Sequence, residues 1–184
     1  MGDRPGDRVV TAWTLGPDSG ELLLRTGVTG SASRMGHRLT IAMRSWQATV
    51  EWDGDAPSAV EVTVDLDSLD VLRGEGGMTP LTGAEKGLIR SNALKTLRAK
   101  KFPQAHFRST SIERSGSVVR IAGVLELAGQ SGAQNVEVEV SDESVLGTAS
   151  VRHSEFGLKP YSMLMGAMKV ADEVEVSLAV TRPA

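Results

Sequence analysis

Three stretches of this chain alternate apolar and polar residues with a period of two, and this limits its fold more than any other feature. Val60, Val62, Val64 and Leu66 interleave with Glu61, Thr63, Asp65 and Asp67. Val136, Val138 and Val140 interleave with Glu137 and Glu139, and Val174, Val176, Leu178 and Val180 with Glu175 and Ser177. Successive side chains of a strand point to opposite faces, so each run predicts a strand with one apolar face and one wet face, hence an antiparallel sheet. Weaker strand signals cover 21–26, 38–51, 105–113, 117–127 and 147–153. Turn residues punctuate them at Asp53-Gly54-Asp55, Ser115-Gly116 and Gly129 to Gly132. About eight short strands spaced in this way predict an all-β barrel or sandwich. A closed barrel has the further merit of removing sheet edges.

One segment interrupts the strands. Thr82-Gly83-Ala84-Glu85 reads as a capping box, followed by a partial helical stripe of Leu88, Ile89, Ala93 and Leu97, and Pro103 ends it. This predicts one or two short helices between strands, lying across one end of a barrel and covering it. A chain of 184 residues is long enough for one domain with a sizeable core or an enclosed cavity. We therefore expect a single barrel domain over 13–182, preceded by a poorly ordered arm over 1–12.

Composition removes several function classes. Without cysteine the chain has no disulfide framework, thiol chemistry or Cys-based metal site. A net charge of −3 and 4% aromatic residues give neither the basic footprint nor the stacking platforms of a nucleic-acid binder. Charge near the N-terminus argues against a signal peptide, Gly6 spoils a myristoylation motif, and no apolar run is long enough for a helical span. The expected location is cytoplasmic. The glycine-rich stretches lack the endings of phosphate-binding loops, and there is no nucleophile elbow. His37, His106 and His153 lie far apart without a close metal-ligating pair. The expectation is no metal, no cofactor and no enzymatic activity.

The tail end points elsewhere. His153 to Val170 is an apolar, Met-rich turn carrying Lys159, Pro160 and Tyr161, and it leads into the last alternating run. Such a turn suits the greasy rim of a barrel holding a long apolar ligand. Met163, Met165 and Met168 read equally well as adaptable ligand contacts or as plain core filler. Lys159 and Tyr161 read as groups that orient a ligand head, or as an exposed lysine and a turn cap. The basic run Lys86, Arg90, Lys95, Arg98, Lys100 and Lys101 reads as the solvated face of a helix, with attraction to a phosphate headgroup or an anionic membrane as the second reading.

Several motifs, in order, resemble those of YceI-like proteins. Phe102-Pro103-Gln104-Ala105-His106-Phe107-Arg108-Ser109-Thr110 is similar to that family's yP-x-x-x-F-x-S-T segment. Val119, Gly123, Leu125 and Gly129 resemble its v-x-v-x-G-x-L-t-l-x-G strand, and His153-Ser154-Glu155-Phe156-Gly157-Leu158 its R-S-D-F-G-I box. Trp13, Trp52-Asp53 and Ser68-Leu69-Asp70 match further positions. The resemblance implies a lipocalin-like antiparallel barrel of about eight strands with a helical excursion. It also implies a bacterial, polyisoprenoid-binding or otherwise lipid-binding protein without established catalysis, and homodimers. There are departures. Gly16-Pro17-Asp18-Ser19 lacks the family's opening histidine, Arg25-Thr26 stands for its r-H, His153 replaces the box arginine, and Arg98–Lys101 replaces its F-F-d-a. The chain resembles a divergent cytoplasmic branch, in which the fold survives and the ligand differs.

The expected function is therefore binding or carriage of a long-chain apolar ligand (polyisoprenoid, quinone or acyl lipid). The alternative is a ligand-free interaction or stress-response scaffold. Expected apolar lining residues are Leu22, Leu24, Leu39, Ile41, Met43, Val62, Val64, Phe107, Ile121, Leu125, Val138, Phe156, Leu158, Met163 and Leu164. Expected head contacts are Arg34, His37, His153, Lys159 and Tyr161. Beyond the small molecule, a transient membrane contact and a homodimer are the partners considered, and nucleic acid is not.

Overall fold

The alternating runs become strands in a computed structural model that describes residues 10–183. In chain order they are β1 (Val10–Leu15), β2 (Gly20–Thr29), β3 (His37–Met43), β4 (Trp46–Asp53), β5 (Ala56–Asp65), β6 (Leu69–Gly76), helix α1 (Gly83–Thr96), β7 (Gln104–Ser115), β8 (Val118–Leu127), β9 (Gln130–Val140), β10 (Ser144–Arg152), β11 (Ser162–Met163) and β12 (Met168–Thr181). Every pairing is antiparallel. Residues 1–9 of the expected arm lie outside the described residues, whereas residues 10–12 belong to β1 and pair with β4.

Eleven of the twelve strands build eight long staves, and the two-residue β11 pairs with β12 off that path. β1 and β2 run in one direction, both antiparallel to the continuous path β3–β4, which pairs in turn with the continuous path β5–β6. β5 then pairs with β7, and the meander continues through β8, β9 and β10 to β12, which returns to β2. The ring of pairings closes, as an up-and-down barrel requires. The stretch 38–51 that reads as one strand is a single stave bent at Arg44–Ser45.

Register is marked on the outer wall by charge. Arg25 and Glu175, Glu61 and Arg108, Arg120 and Glu137, and Arg152 and Glu173 are direct cross-strand partners. Their ion pairs span 3.3, 3.0, 3.5 and 3.4 Å respectively. Exposed pairs of this kind each contribute about 0.2–1 kcal/mol. A one-residue slip would separate all of them and turn every apolar face outward.

Two glycines are required by close approach. A Cβ on Gly20 would overlap the Ala179 carbonyl oxygen where the first and last staves meet. A Cβ on Gly123 would fall 2.5 Å from the Phe107 ring. The ladder between β9 and β10 is short, with only Glu137–Val140 pairing with Val145–Thr148. Beyond that, Gln134 spans the split, its amide nitrogen donating to the carbonyls of Asn135 (3.0 Å) and Ser150 (2.9 Å).

The helix forms with both halves of its capping box. Thr82 N–H donates to the Glu85 carboxylate (2.7 Å) and Glu85 N–H to the Thr82 hydroxyl (3.2 Å). These bonds hold the Glu85 carboxyl below its ordinary range, with the Thr82 backbone bond as the largest cause. β6 leaves carbonyls free beyond the start of β7, and the helix covers them. Lys86 Nζ donates to Leu72 O (2.8 Å), and Arg90 Nε to Leu69 O (2.9 Å). Arg90 also pairs with Asp67 at 3.0 Å. Both readings of the basic run therefore need correction at Lys86 and Arg90, which serve as edge caps. Arg98 likewise donates to Gly157 O (3.2 Å).

Candidate functional site

The packed core occupies only part of the barrel. Leu15, Leu22, Ile41, Met43, Trp46, Leu66, Leu69, Val71, Leu127, Phe156 and Leu158 pack around the bends and beside the residues following the helix. A second, smaller cluster of buried Phe107, Val119 and Ile121 takes contacts from Val60, Val62, Val136, Val138 and Val140. Apart from buried Val180, the inward valines of β5, β9 and β12 are half-buried and also face open space. That space is a cavity of about 1030 Å³.

Its wall is mostly aliphatic, as the alternation demands. Val60, Val62 and Val64 come from β5, Val136, Val138 and Val140 from β9, and Val174, Val176, Leu178 and Val180 from β12. At one end Trp13 and Trp52 line it as a tilted aromatic pair with centroids 4.5 Å apart. There Arg114 reaches the carbonyl oxygens of Gly116 (3.1 Å) and Asp55 (3.4 Å). At the other end Leu88, Ile89 and Ala93 of the helix border the cavity, with Met35, His37, Tyr161, Met163 and Met168 around them. Polar side chains gather mostly toward the two ends.

The side chains singled out from the sequence fall as follows. Leu22, Leu24, Leu39, Ile41, Met43, Val62, Val64, Phe107, Ile121, Leu125, Val138, Leu158 and Met163 line the cavity. Phe156 and Leu164 do not. Phe156 is fully buried against Gly132, outside the lining, and Leu164 is half-exposed on the outer side of the rim. Of the polar set, His37, His153 and Tyr161 border the cavity at its helical end, whereas Arg34 and Lys159 stand outside it. The methionines divide: Met163 and Met168 line the cavity, but Met165 is fully exposed and acts neither as lining nor as filler. Trp13, Trp52 and Gln134 were missed. The tryptophans carried only a motif match, and nothing local in the sequence marks Gln134.

His37 and His153 each bond a backbone carbonyl oxygen, whereas His106 lies 3.8 Å from the Glu61 carboxylate away from the cavity lining. The His37 Nε2 lies 2.7 Å from the Thr79 carbonyl oxygen, tying the loop before the helix to β3. The His153 Nδ1 lies 2.8 Å from the Asp172 carbonyl oxygen. The Asp172 carboxylate instead accepts from the hydroxyl (2.6 Å) and the N–H (2.8 Å) of Ser154, and the hydroxyl bond is the main reason its pKa is lowered. A general base needs its ring nitrogen free for substrate and oriented by its partner. Neither the His37 nor the His153 imidazole has a carboxylate as its hydrogen-bond partner.

With this geometry in view, comparison with known proteins is decisive at the family level. The model of the YceI-like domain matches residues 13–182. This chain belongs to the YceI-like family. The family consists of binding barrels and is not known for enzymes. Among solved structures, the YceI-like chain is similar to BcnA of Burkholderia cenocepacia, with a TM-score of 0.67 at 18% identity over 89% of this chain and 96% of that one. It is also similar to the YCEI protein of Campylobacter jejuni, with a TM-score of 0.57 at 15% identity over 77% of this chain and 82% of that one. A mutant of the latter holding a monobromobimane guest gives a TM-score of 0.58 at 15% identity, with the same coverage of 77% and 82%. These likenesses establish a lipocalin-like, all-β fold for the YceI-like chain. Among curated proteins no match to it is found.

Proposed function

We propose that this YceI-like protein binds or carries a long-chain apolar molecule, a polyisoprenoid, quinone or acyl lipid, within the barrel and performs no chemistry on it. The observation that carries this reading is the aliphatic cavity of about 1030 Å³. Small-molecule pockets typically span about 300–1,000 Å³, so the space is at the upper end of that range and fits a long chain better than a compact metabolite. Burying methylenes gives about 0.8 kcal/mol each, so a chain of roughly twelve carbons gives about 10 kcal/mol gross. Association costs several kcal/mol of that, and polar contacts at one end then set affinity and choice of headgroup. His37, His153 and Tyr161 are the groups at the helical mouth for that role. The alternative, a ligand-free interaction or stress-response scaffold, would be favoured by an interior filled with side chains, and the open cavity supports the ligand-binding reading over it.

The test is a filled lumen. Gly147 lines the cavity, and a Cβ there would meet only ordinary contacts at 3.8–3.9 Å. Gly147→Phe should fold and project a ring into the open space. Binding of cis-parinaric acid, a fluorescent long-chain fatty acid, should fall at least about tenfold, equivalent to about 1.4 kcal/mol. Native mass spectrometry of freshly purified wild-type protein should show a stoichiometric lipid that the variant lacks. A clean ligand-free mass together with no parinaric binding by the wild type would refute the proposal.

A further inference from the structure

The helical mouth carries apolar side chains that the barrel could have buried and does not. Between β11 and β12 the backbone enters the left-handed region at three successive residues, Leu164 (φ 52°), Met165 (φ 56°) and Gly166 (φ 88°). Two of them are bulky residues that disfavour this conformation. The chain thereby turns Leu164 and Met165 outward, the first 51% and the second 106% exposed. Hydrogen bonds fix the loop in place: Ala32 N–H donates to Ala167 O (2.8 Å), and Val170 N–H to Tyr161 O (2.9 Å).

Other elements add to the same rim. Met35 from the 3-10 turn Ser33–Met35 and Leu88 from the helix are 49% and 62% exposed, and both border the cavity. Met78, in the loop that His37 ties down through Thr79, is 80% exposed. The cations nearby differ from those of the barrel wall. On the wall, Arg25, Arg108, Arg120 and Arg152 each face a glutamate. Arg34, Lys159 and Lys169 beside the rim are exposed and have no ion pair among the described residues. An apolar ring around an opening, with unpaired cations set beside it, matches the layering of an anionic bilayer, in which headgroups lie above acyl chains.

We infer that this rim docks onto an anionic membrane surface. Leu164 and Met165 insert among the acyl chains, Arg34, Lys159 and Lys169 meet the headgroups, and the long-chain ligand passes between bilayer and cavity without crossing water. The inference rests on the ligand-binding reading of the cavity. Its occupant is a lipid surface rather than a protein face because the apolar groups are separate protrusions around an opening.

The test uses flotation with phosphatidylglycerol vesicles and with pure phosphatidylcholine vesicles, beside cis-parinaric acid binding in solution. The wild type should float with the anionic vesicles and less with the zwitterionic ones, and added salt should weaken the difference. Leu164→Asn with Met165→Asn removes the apolar tips and suits the left-handed backbone, so folding is preserved. That variant should lose at least about tenfold in partitioning while keeping parinaric binding. Arg34→Gln with Lys159→Gln and Lys169→Gln should weaken binding to anionic vesicles selectively. A wild type that binds parinaric acid but floats with neither vesicle overturns the docking inference and leaves the cavity reading standing. Failure of both assays overturns both. A dimer in sedimentation velocity that the two Asn substitutions dissociate, without vesicle binding, overturns docking in favour of a second copy of the chain.

Discussion

Ser45 and Asp65 hold each other reciprocally at the corner of the barrel: the Asp65 N–H donates to the Ser45 carbonyl (3.0 Å), and the Ser45 hydroxyl donates to the Asp65 carboxylate. The corner is where the β3–β4 and β5–β6 staves both bend. Gln104, at the start of β7, donates a hydrogen bond from its side-chain amide to the second Asp65 oxygen (2.8 Å), and the Ser68 hydroxyl donates to the Asp65 carbonyl (2.6 Å). One carboxylate thus ties the bend of two staves to the start of a third. The bonds from Ser45 and then Gln104 hold its carboxyl below the ordinary range.

That arrangement predicts an acid-dependent contribution to stability. A carboxyl whose pKa is lowered by folding stabilises fully above its unfolded value, and loses that contribution as pH falls through the folded value. Asp65→Asn should cost about 1–2 kcal/mol at neutral pH, modest because solvent reaches the site. The wild-type advantage should hold down to about pH 4 and then shrink. Urea midpoints of both proteins from about pH 6 to about pH 3 would show it. A gap that widens on acidification would contradict the role given to the carboxylate.

Two phenylalanines should behave differently. Phe156 is fully buried and lies outside the cavity lining, so Phe156→Ala should cost about 3–5 kcal/mol and leave ligand size selection unchanged. Phe107 is buried with Val119 and Ile121 but also faces the cavity, so its removal enlarges space that is already open rather than creating a closed void. Phe107→Ala should cost less than Phe156→Ala and admit a bulkier ligand. Chemical denaturation, with displacement of cis-parinaric acid by acyl chains of graded bulk, separates the two. Equal costs and identical selectivity would show that Phe107 is ordinary core.

The helix should be only as firmly seated as its two edge-capping cations make it. Lys86→Met with Arg90→Met keeps the apolar stems and removes the bonds to Leu72 O, Leu69 O and Asp67. Amide exchange across Gly83–Thr96 should accelerate by about ten- to a hundredfold, equivalent to about 1.4–2.8 kcal/mol of local stability, while β7 to β9 stay protected. Hydrogen-exchange mass spectrometry reads this directly, and uniform acceleration across the barrel would mean that the helix is integral to global folding.

Much of this architecture is legible in local pattern. Alternation in β5, β9 and β12 already states which face is apolar, and the capping box at Thr82 and Glu85 places the helix start. The aliphatic character of the cavity wall follows from the same runs, because residues two apart on a strand share a face. Less legible were the bends. Alternating residues run up to Asp65 and Leu66 as if one strand continued, since nothing within a few residues records that Ser45 and Gln104 will meet that carboxylate. The role of Lys86 and Arg90 was hidden for the same reason: their acceptors are carbonyls on β6, and no side chain advertises them.

By itself, then, the order of residues determined the all-β class, the inward faces of the alternating strands and the start of a helical insertion, all of which are written in patterns a few positions long. Tertiary structure alone decided that the staves bend and close around open space of about 1030 Å³ instead of filling it. It also decided that Phe156 packs wholly into core while Phe107, although buried, also borders the cavity, and that Met165 points to solvent while Met163 lines the mouth. The physical reason is that an apolar side chain has the same local signature whether it meets another side chain, a ligand or water. Which of these it meets depends on how the ends of distant staves converge.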